Sequence, residues 1–290
     1  MWTDFYYDSC GAGRIHACIW APGGEHDHYD RLAISFDAFG KGACTDFGTA
    51  SGYGSPLHYG YFKNTLAHNT VVIDGENMAP CDTRVREYSL RALDDIYLDA
   101  ETMSPEEYEM LDSFTIKQWS DEAYKGVRMR RIISWHDKYF IDVFSVKTDN
   151  ELKKEWTWHI NAEAEIPEGA RYIGKVADKG AEAYLSDAYS YRCDRPIKLT
   201  YRAEDWYMDV YTSAEGRELI FAKGPNNPAT TSVSYLLERT AEKSPIFINV
   251  IEAYKSDSVI SYVEIKKQDG IVEVTVTEKS GKNRHLKLKP

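Results

Sequence analysis

Histidines and carboxylates able to share a metal ion are concentrated near the start of the chain. The densest polar cluster is Gly23-Gly24-Glu25-His26-Asp27-His28-Tyr29-Asp30-Arg31-Leu32, which runs into the apolar stretch 33–39. If a strand begins early here, a period of two puts His26, His28 and Asp30 on the same face as Leu32, Ile34 and Phe36, and both imidazoles point inward. Asp46, in Thr45-Asp46-Phe47-Gly48-Thr49, and His68, in Leu66-Ala67-His68-Asn69-Thr70, each stand beside a further apolar run. Two histidines and one carboxylate from adjacent strands make a tetrahedral zinc site with a fourth position for water or another side chain. The expected ligands are His28, Asp46 and His68. Each also has an ordinary reading, since a histidine at a strand start is commonly a satisfied polar group and an aspartate before Phe-Gly a turn former. Only their combination points to a metal.

Lys63, Arg31, Arg84 and Arg86 lie around this region in sequence and could supply the positive field that a uronate carboxylate needs; a solvated surface is the plainer role for each. The stretch 51–61 is rich in glycine and carries Tyr53, Tyr59 and Tyr61, which suits a sugar-stacking rim or a packed loop equally.

The elements that must hold these residues are strands. Alternating, β-branched and aromatic runs recur at 14–19, 32–39, 70–73, 131–134, 139–146, 155–160, 219–221, 232–237, 246–251, 259–265 and 271–276. Turn signals separate them at short intervals: Pro22-Gly23-Gly24, Asp74-Gly75, Gly224-Pro225-Asn226-Asn227 and Asp269-Gly270. This pattern predicts an all-β protein of antiparallel sheets stacked in layers. One helix is expected at 104–111, where Ser104 can cap, Pro105 opens the first turn and Glu106 and Glu107 follow. No βαβ alternation and no repeat is present, which disfavours a nucleotide-binding fold. The 290 residues are read as one domain, with a smaller C-terminal sub-domain possible from about 225, the weakest joint lying at 223–230.

Composition narrows the partners. A net charge of −11 disfavours nucleic acid and anionic membranes, because phosphate binding needs a cationic surface. It also disfavours a polyanionic sugar unless a local basic patch receives it. No apolar run approaches the roughly 20 residues that span a bilayer, and Met1-Trp2-Thr3-Asp4-Phe5 lacks the basic and apolar segments of a signal peptide. The five cysteines, Cys10, Cys18, Cys44, Cys81 and Cys193, are odd in number and without CxxC spacing, so they read as free thiols.

Four stretches resemble the C-terminal β domain of the bacterial heparinase II/III-like polysaccharide lyases: 24–32; Ala38-Phe39-Gly40 running through Asp46-Phe47-Gly48-Thr49; 65–75, with its His-Asn-Thr-Val-Val core; and Tyr124-Lys125-Gly126-Val127-Arg128 followed by Arg130-Arg131. After about residue 160 the similarity is one of pattern. The resemblance implies a layered antiparallel β super-sandwich with a zinc ion, facing an N-terminal α/α toroid across the active-site cleft. Matched by motif, His28, Asp46 and His68 fall on the family's metal ligands and His26 on a histidine that faces the substrate. The family's catalytic tyrosine belongs to the toroid and has no matching position in this chain. The implied activity is β-elimination of an acidic, uronate-containing polysaccharide of the heparin, heparan or alginate type, with Arg31 and Tyr53 as expected substrate contacts. Two alternatives stay open: a non-catalytic carbohydrate-binding or structural module, and a cupin-like metalloenzyme. The cupin pattern fits poorly, because Arg31, Leu32 and Ala33 stand where its glutamate is expected.

Overall fold

In the computed structural model, residues 27–49, 52, 54–92, 95–103 and 119–290 are described, together with the backbone of two short strands, Thr3–Phe5 and Arg14–Ala17. The helix expected at 104–111 lies outside the described residues, as do His26 and Tyr53.

Every strand pair in the sheets is antiparallel. A six-stranded sheet runs in the order Arg171–Lys175, Ser186–Arg192, Glu218–Pro225, Ser232–Thr240, Lys154–Ile160, Val71–Ile73. An eight-stranded sheet runs Glu163–Ala164, Ile197–Arg202, Tyr207–Thr212, Ile246–Tyr254, Tyr139–Lys147, Arg128–His136, Asp95–Thr102, Thr83–Ala92. A four-stranded sheet contains Ile34–Ala38 and Lys41–Cys44, and a three-stranded sheet closes the chain with Ile260–Gln268, Ile271–Glu278 and Asn283–Leu288.

The period of two decides what each face covers. Leu219 and Phe221 pack into the core shared with Phe140, Phe144, Trp156 and Trp158, whereas Ile220 and Ala222 face the opposite side with Phe47, Tyr61, Phe62 and Leu66. In the eight-stranded sheet, Phe140 and Phe144 face that shared core while Ile141 and Val143 meet Val272, Val274 and Val276 of the C-terminal sheet. The molecule is therefore a stack of layers: the loop segment around 47–67, the six-stranded sheet, the eight-stranded sheet and the three-stranded sheet. The central strands of both large sheets are covered on both faces, which explains why those strands read as continuous apolar runs.

The strands that the sequence did not signal are mostly polar. Thr83–Ala92 carries Arg84, Arg86 and Glu87 on an edge, where charge discourages further pairing. The joint expected at 223–230 is instead the turn of a hairpin in the middle of the six-stranded sheet, paired from Glu218↔Arg239 to Pro225↔Ser232. The C-terminal three-stranded sheet begins at Ile260 and packs on the eight-stranded sheet. Cys44, Cys81 and Cys193 are buried free thiols. Among the described residues no helix is long and apolar enough to cross a membrane.

Candidate metal centre

His28 lies in an irregular segment and not on a strand. The expected early start of the strand is not observed: 27–33 is irregular, and pairing begins at Ile34. Leu32 takes a left-handed conformation, φ 60°, and a bulky residue there ends extended pairing. The reading that aligned His26, His28 and Asp30 along one strand face is corrected accordingly. Buried hydrogen bonds hold the segment instead. The Arg31 guanidinium donates from Nη2 to Asp27 Oδ2 (2.6 Å), from Nη1 to Asp30 Oδ1 (3.0 Å) and to the His28 carbonyl (3.2 Å), and from Nε to the Cys81 carbonyl (3.1 Å). Arg31 is 2% exposed. Its guanidinium is surrounded by these acceptors and holds the segment together.

Asp46 sits in a local turn of its own, with Gly48 N donating to Asp46 Oδ1 at 2.7 Å, and Gly48 at φ 62° supplies the left-handed residue that closes it. The aspartate is thus a turn former and is also free at its second oxygen to meet a neighbour. That neighbour is His68, whose Nδ1 lies 3.1 Å from Asp46 Oδ2.

The His68-Asn69-Thr70 motif is anchored at every residue. The His68 carbonyl accepts from Thr157 Oγ1 (2.5 Å) and Thr70 N (3.0 Å). Asn69 donates from Nδ2 to the Ile34 carbonyl (3.0 Å), and its Oδ1 accepts from His159 N (2.8 Å). Thr70 Oγ1 donates to the Arg31 carbonyl (2.9 Å). Arg131 then ties the segments together: Nη1 donates to the Leu32 carbonyl (2.7 Å) and to the Asn69 carbonyl (2.5 Å), while Nε and Nη2 engage Asp142 at 2.9 and 2.7 Å.

The result is convergence. One ligand atom from each of His28, Asp46 and His68 lies within 4.8 Å of the others. Tetrahedral metal bonds of about 2.0–2.2 Å put ligand atoms roughly 3.4 Å apart, so an ion would draw the group together by up to about 1.4 Å. The donor set, two imidazoles and a carboxylate, suits zinc chemically. The His68 ring presents Nδ1 to Asp46 Oδ2, and the Phe62 backbone lies against the same ring.

Charge sets the two histidines apart: His28 is held in the ligating form, whereas His68 shares a proton with Asp46 that a metal would have to displace. Burial lowers the His28 pKa to about 3, with neighbouring His68 adding to the effect, so His28 is neutral, the form in which imidazole ligates. Burial pushes the Asp46 carboxyl up, but the hydrogen bond and charge of His68 outweigh it and hold Asp46 below the usual carboxylate range. Burial likewise lowers His68, yet the hydrogen bond and charge of Asp46 raise it overall.

Of the expected basic residues, Lys63 is buried beside the centre and its charge depresses His28 and His58. Arg84 and Arg86 lie on the edge strand Thr83–Ala92 and pair with Glu101. Two histidines escaped the sequence reading. His58 opens a short π-helix, His58–Phe62, and its ring stands 5.5 Å from that of His28. His159 is the penultimate residue of the strand Lys154–Ile160, with Nε2 2.7 Å from the Thr45 carbonyl. His159 is far from the cluster in sequence, whereas His58 lies between Asp46 and His68 but stands in no motif that marks it. The Phe47 ring, stacked 4.4 Å from His159, belongs to the Asp46-Phe47-Gly48 stretch, but nothing in that stretch points to His159.

The family profile described as heparinase II/III-like, C-terminal, matches residues 18–236, so the chain belongs to that family, and the match extends well past residue 160, where the motif resemblance fades. No curated protein matches the sequence. Among solved structures, a heparinase III gene product with methylated lysines shares the fold with TM-score 0.67 at 16% identity, over 100% of this chain and 40% of its own. The heparan sulfate lyase HepC from Pedobacter heparinus does so with TM-score 0.65 at 12% identity, over 96% of this chain and 39% of its own. The chain therefore spans about 40% of the length of these structures. The layered architecture they share sets the cupin alternative aside.

Proposed function

We propose that the chain is the zinc-binding β portion of a lyase that cleaves an acidic, uronate-containing polysaccharide by β-elimination. The observation that carries this reading is the convergence of His28, Asp46 and His68 within 4.8 Å, in a chain of the heparinase II/III-like family. Elimination removes the proton α to the uronate carboxylate, the C–H electrons form the new double bond, and the glycosidic oxygen leaves with the C–O pair. The enzyme must neutralise the carboxylate, take the proton and return one to the leaving oxygen. His26 is assigned to carboxylate neutralisation or proton transfer, and Tyr53 to stacking against a sugar ring. The role of base and acid is assigned to a tyrosine of an N-terminal α/α toroid domain, as the family resemblance implies. Arg31 works behind the surface by holding the segment from which His28 projects. Zinc, when bound, supplies a fixed cross-link between the three ligand segments.

The test is incubation of the chain, and of a form that includes a toroid domain, with heparan- and alginate-type oligosaccharides. Appearance of the unsaturated product's ultraviolet absorbance in the longer form, abolished by His26→Ala, supports the assignment. Binding by both forms without product identifies a carbohydrate-binding module instead.

A further inference from the structure

His159 touches the chain on both sides of one proposed ligand and immediately after another. Its Nε2 meets the Thr45 carbonyl at 2.7 Å, one residue before Asp46. Its ring stacks on Phe47, one residue after Asp46, with centroids 4.4 Å apart and planes inclined by 30°. Its backbone N–H donates to Asn69 Oδ1 at 2.8 Å, one residue after His68, and Asn69 in turn donates to the Ile34 carbonyl. A carbonyl only accepts, so Nε2 carries the hydrogen, and Nδ1 is buried without a hydrogen-bond partner among the described residues. His159 itself is 2% exposed and is not one of the converging donors.

We infer that His159 is a positioning residue of the metal centre, its ring fixing the Asp46 turn and its backbone, through Asn69, fixing the His68 segment. The inference rests on the metal reading given above. The strand Lys154–Ile160 is the rigid element behind it, since every residue of that strand is buried and it is paired on both sides. A ligand turn held only by its own Asx bond and by the Asn227 Nδ2 bond to the Phe47 carbonyl would keep more freedom before the metal arrives. Fixing it from a second shell places the carboxylate in advance.

The test is zinc affinity of the full chain, measured by competition with a chromophoric chelator, for wild type, His159→Phe, His159→Gln and His159→Asn, with a thermal scan of each metal-free protein. Phenylalanine keeps the stacking on Phe47 and loses the donor; glutamine places an amide N–H near the position of Nε2; asparagine places it near Nδ1, away from Thr45. Phenylalanine and asparagine are expected to weaken zinc binding by about 10- to 100-fold, and glutamine to restore most of it. A purely structural role would shift melting without separating glutamine from asparagine. Zinc bound as tightly by the phenylalanine variant as by wild type would overturn the inference. If that variant does not fold, equal affinities for glutamine and asparagine overturn it in the same way. Failure of the wild-type chain to take up zinc refutes the metal reading, and this inference falls with it; loss of the His159 effect alone leaves the metal reading standing.

Discussion

The segment that gathers His28, Asp46 and His68 and the C-terminal sheet are held by opposite means. In the C-terminal sheet, Val272, Val274 and Val276 alternate with partly exposed residues and seat on Ile141, Val143, Ile248 and Val250, so apolar burial and a regular ladder suffice. Around those three residues the backbone is irregular, and buried polar side chains replace the ladder: Arg31, Asn69, Thr70, Arg131 and Thr157 each bond a main-chain carbonyl of a segment that bears one of them or adjoins it. A site that must aim three side chains at one point needs fixed directions, which hydrogen bonds give and apolar contact does not. Such a network is vulnerable, because removing one partner leaves others buried and unsatisfied.

The contrast should show most strongly at Arg131. Arg131→Ala leaves Asp142 buried and uncompensated and frees the Leu32 and Asn69 carbonyls, so a loss of about 3–5 kcal/mol is expected in chemical denaturation. Loss of less than 1 kcal/mol would mean the clamp contributes little.

Acid should act next. Burial first, opposed by the hydrogen bond to Thr45, leaves His159 with a pKa of about 4 against an ordinary 6.5. Below pH 6.5 the unfolded chain takes up a proton that the folded chain refuses, so stability falls as pH drops from 6.5 to 4. The limiting effect is roughly 3 kcal/mol, and His28, lowered to about 3, acts in the same direction. In the metal-free protein His159→Gln should flatten that part of the profile; an unchanged profile contradicts the assignment.

On the other side of the comparison, Val274→Ala should cost roughly 2 kcal/mol by lost burial and should leave metal binding unchanged. A fall in zinc affinity there would show that the two regions are coupled. The smallest effect belongs to a turn. Asp269 holds φ 54° before Gly270, so Asp269→Ala should cost about 1 kcal/mol, read as a small shift in thermal midpoint.

That turn was legible in the sequence, as was Asp74-Gly75, because left-handed pairs of this kind carry a chemical signature. The apolar runs marked the strands buried on both faces for the same reason. His28, Asp46 and His68 were legible by residue type, each beside an apolar run that fixes its place. The Leu32 turn was not, since nothing in a leucine announces a positive φ and its support, Arg131, is distant in the chain. His159 was equally hidden: its partners are Thr45 and Asn69, and only the sheet order that sets Lys154–Ile160 beside Val71–Ile73 brings them together.

The central claim is that these distant hydrogen bonds exist to present three metal ligands, and metal content tests it most directly. Elemental mass spectrometry of the purified chain, with His28→Ala and His68→Ala at matched purity, should give about one zinc per chain in wild type and none in either variant. No zinc in the wild type, even after reconstitution, would contradict the account and reduce the cluster to packed histidines in a β-sandwich.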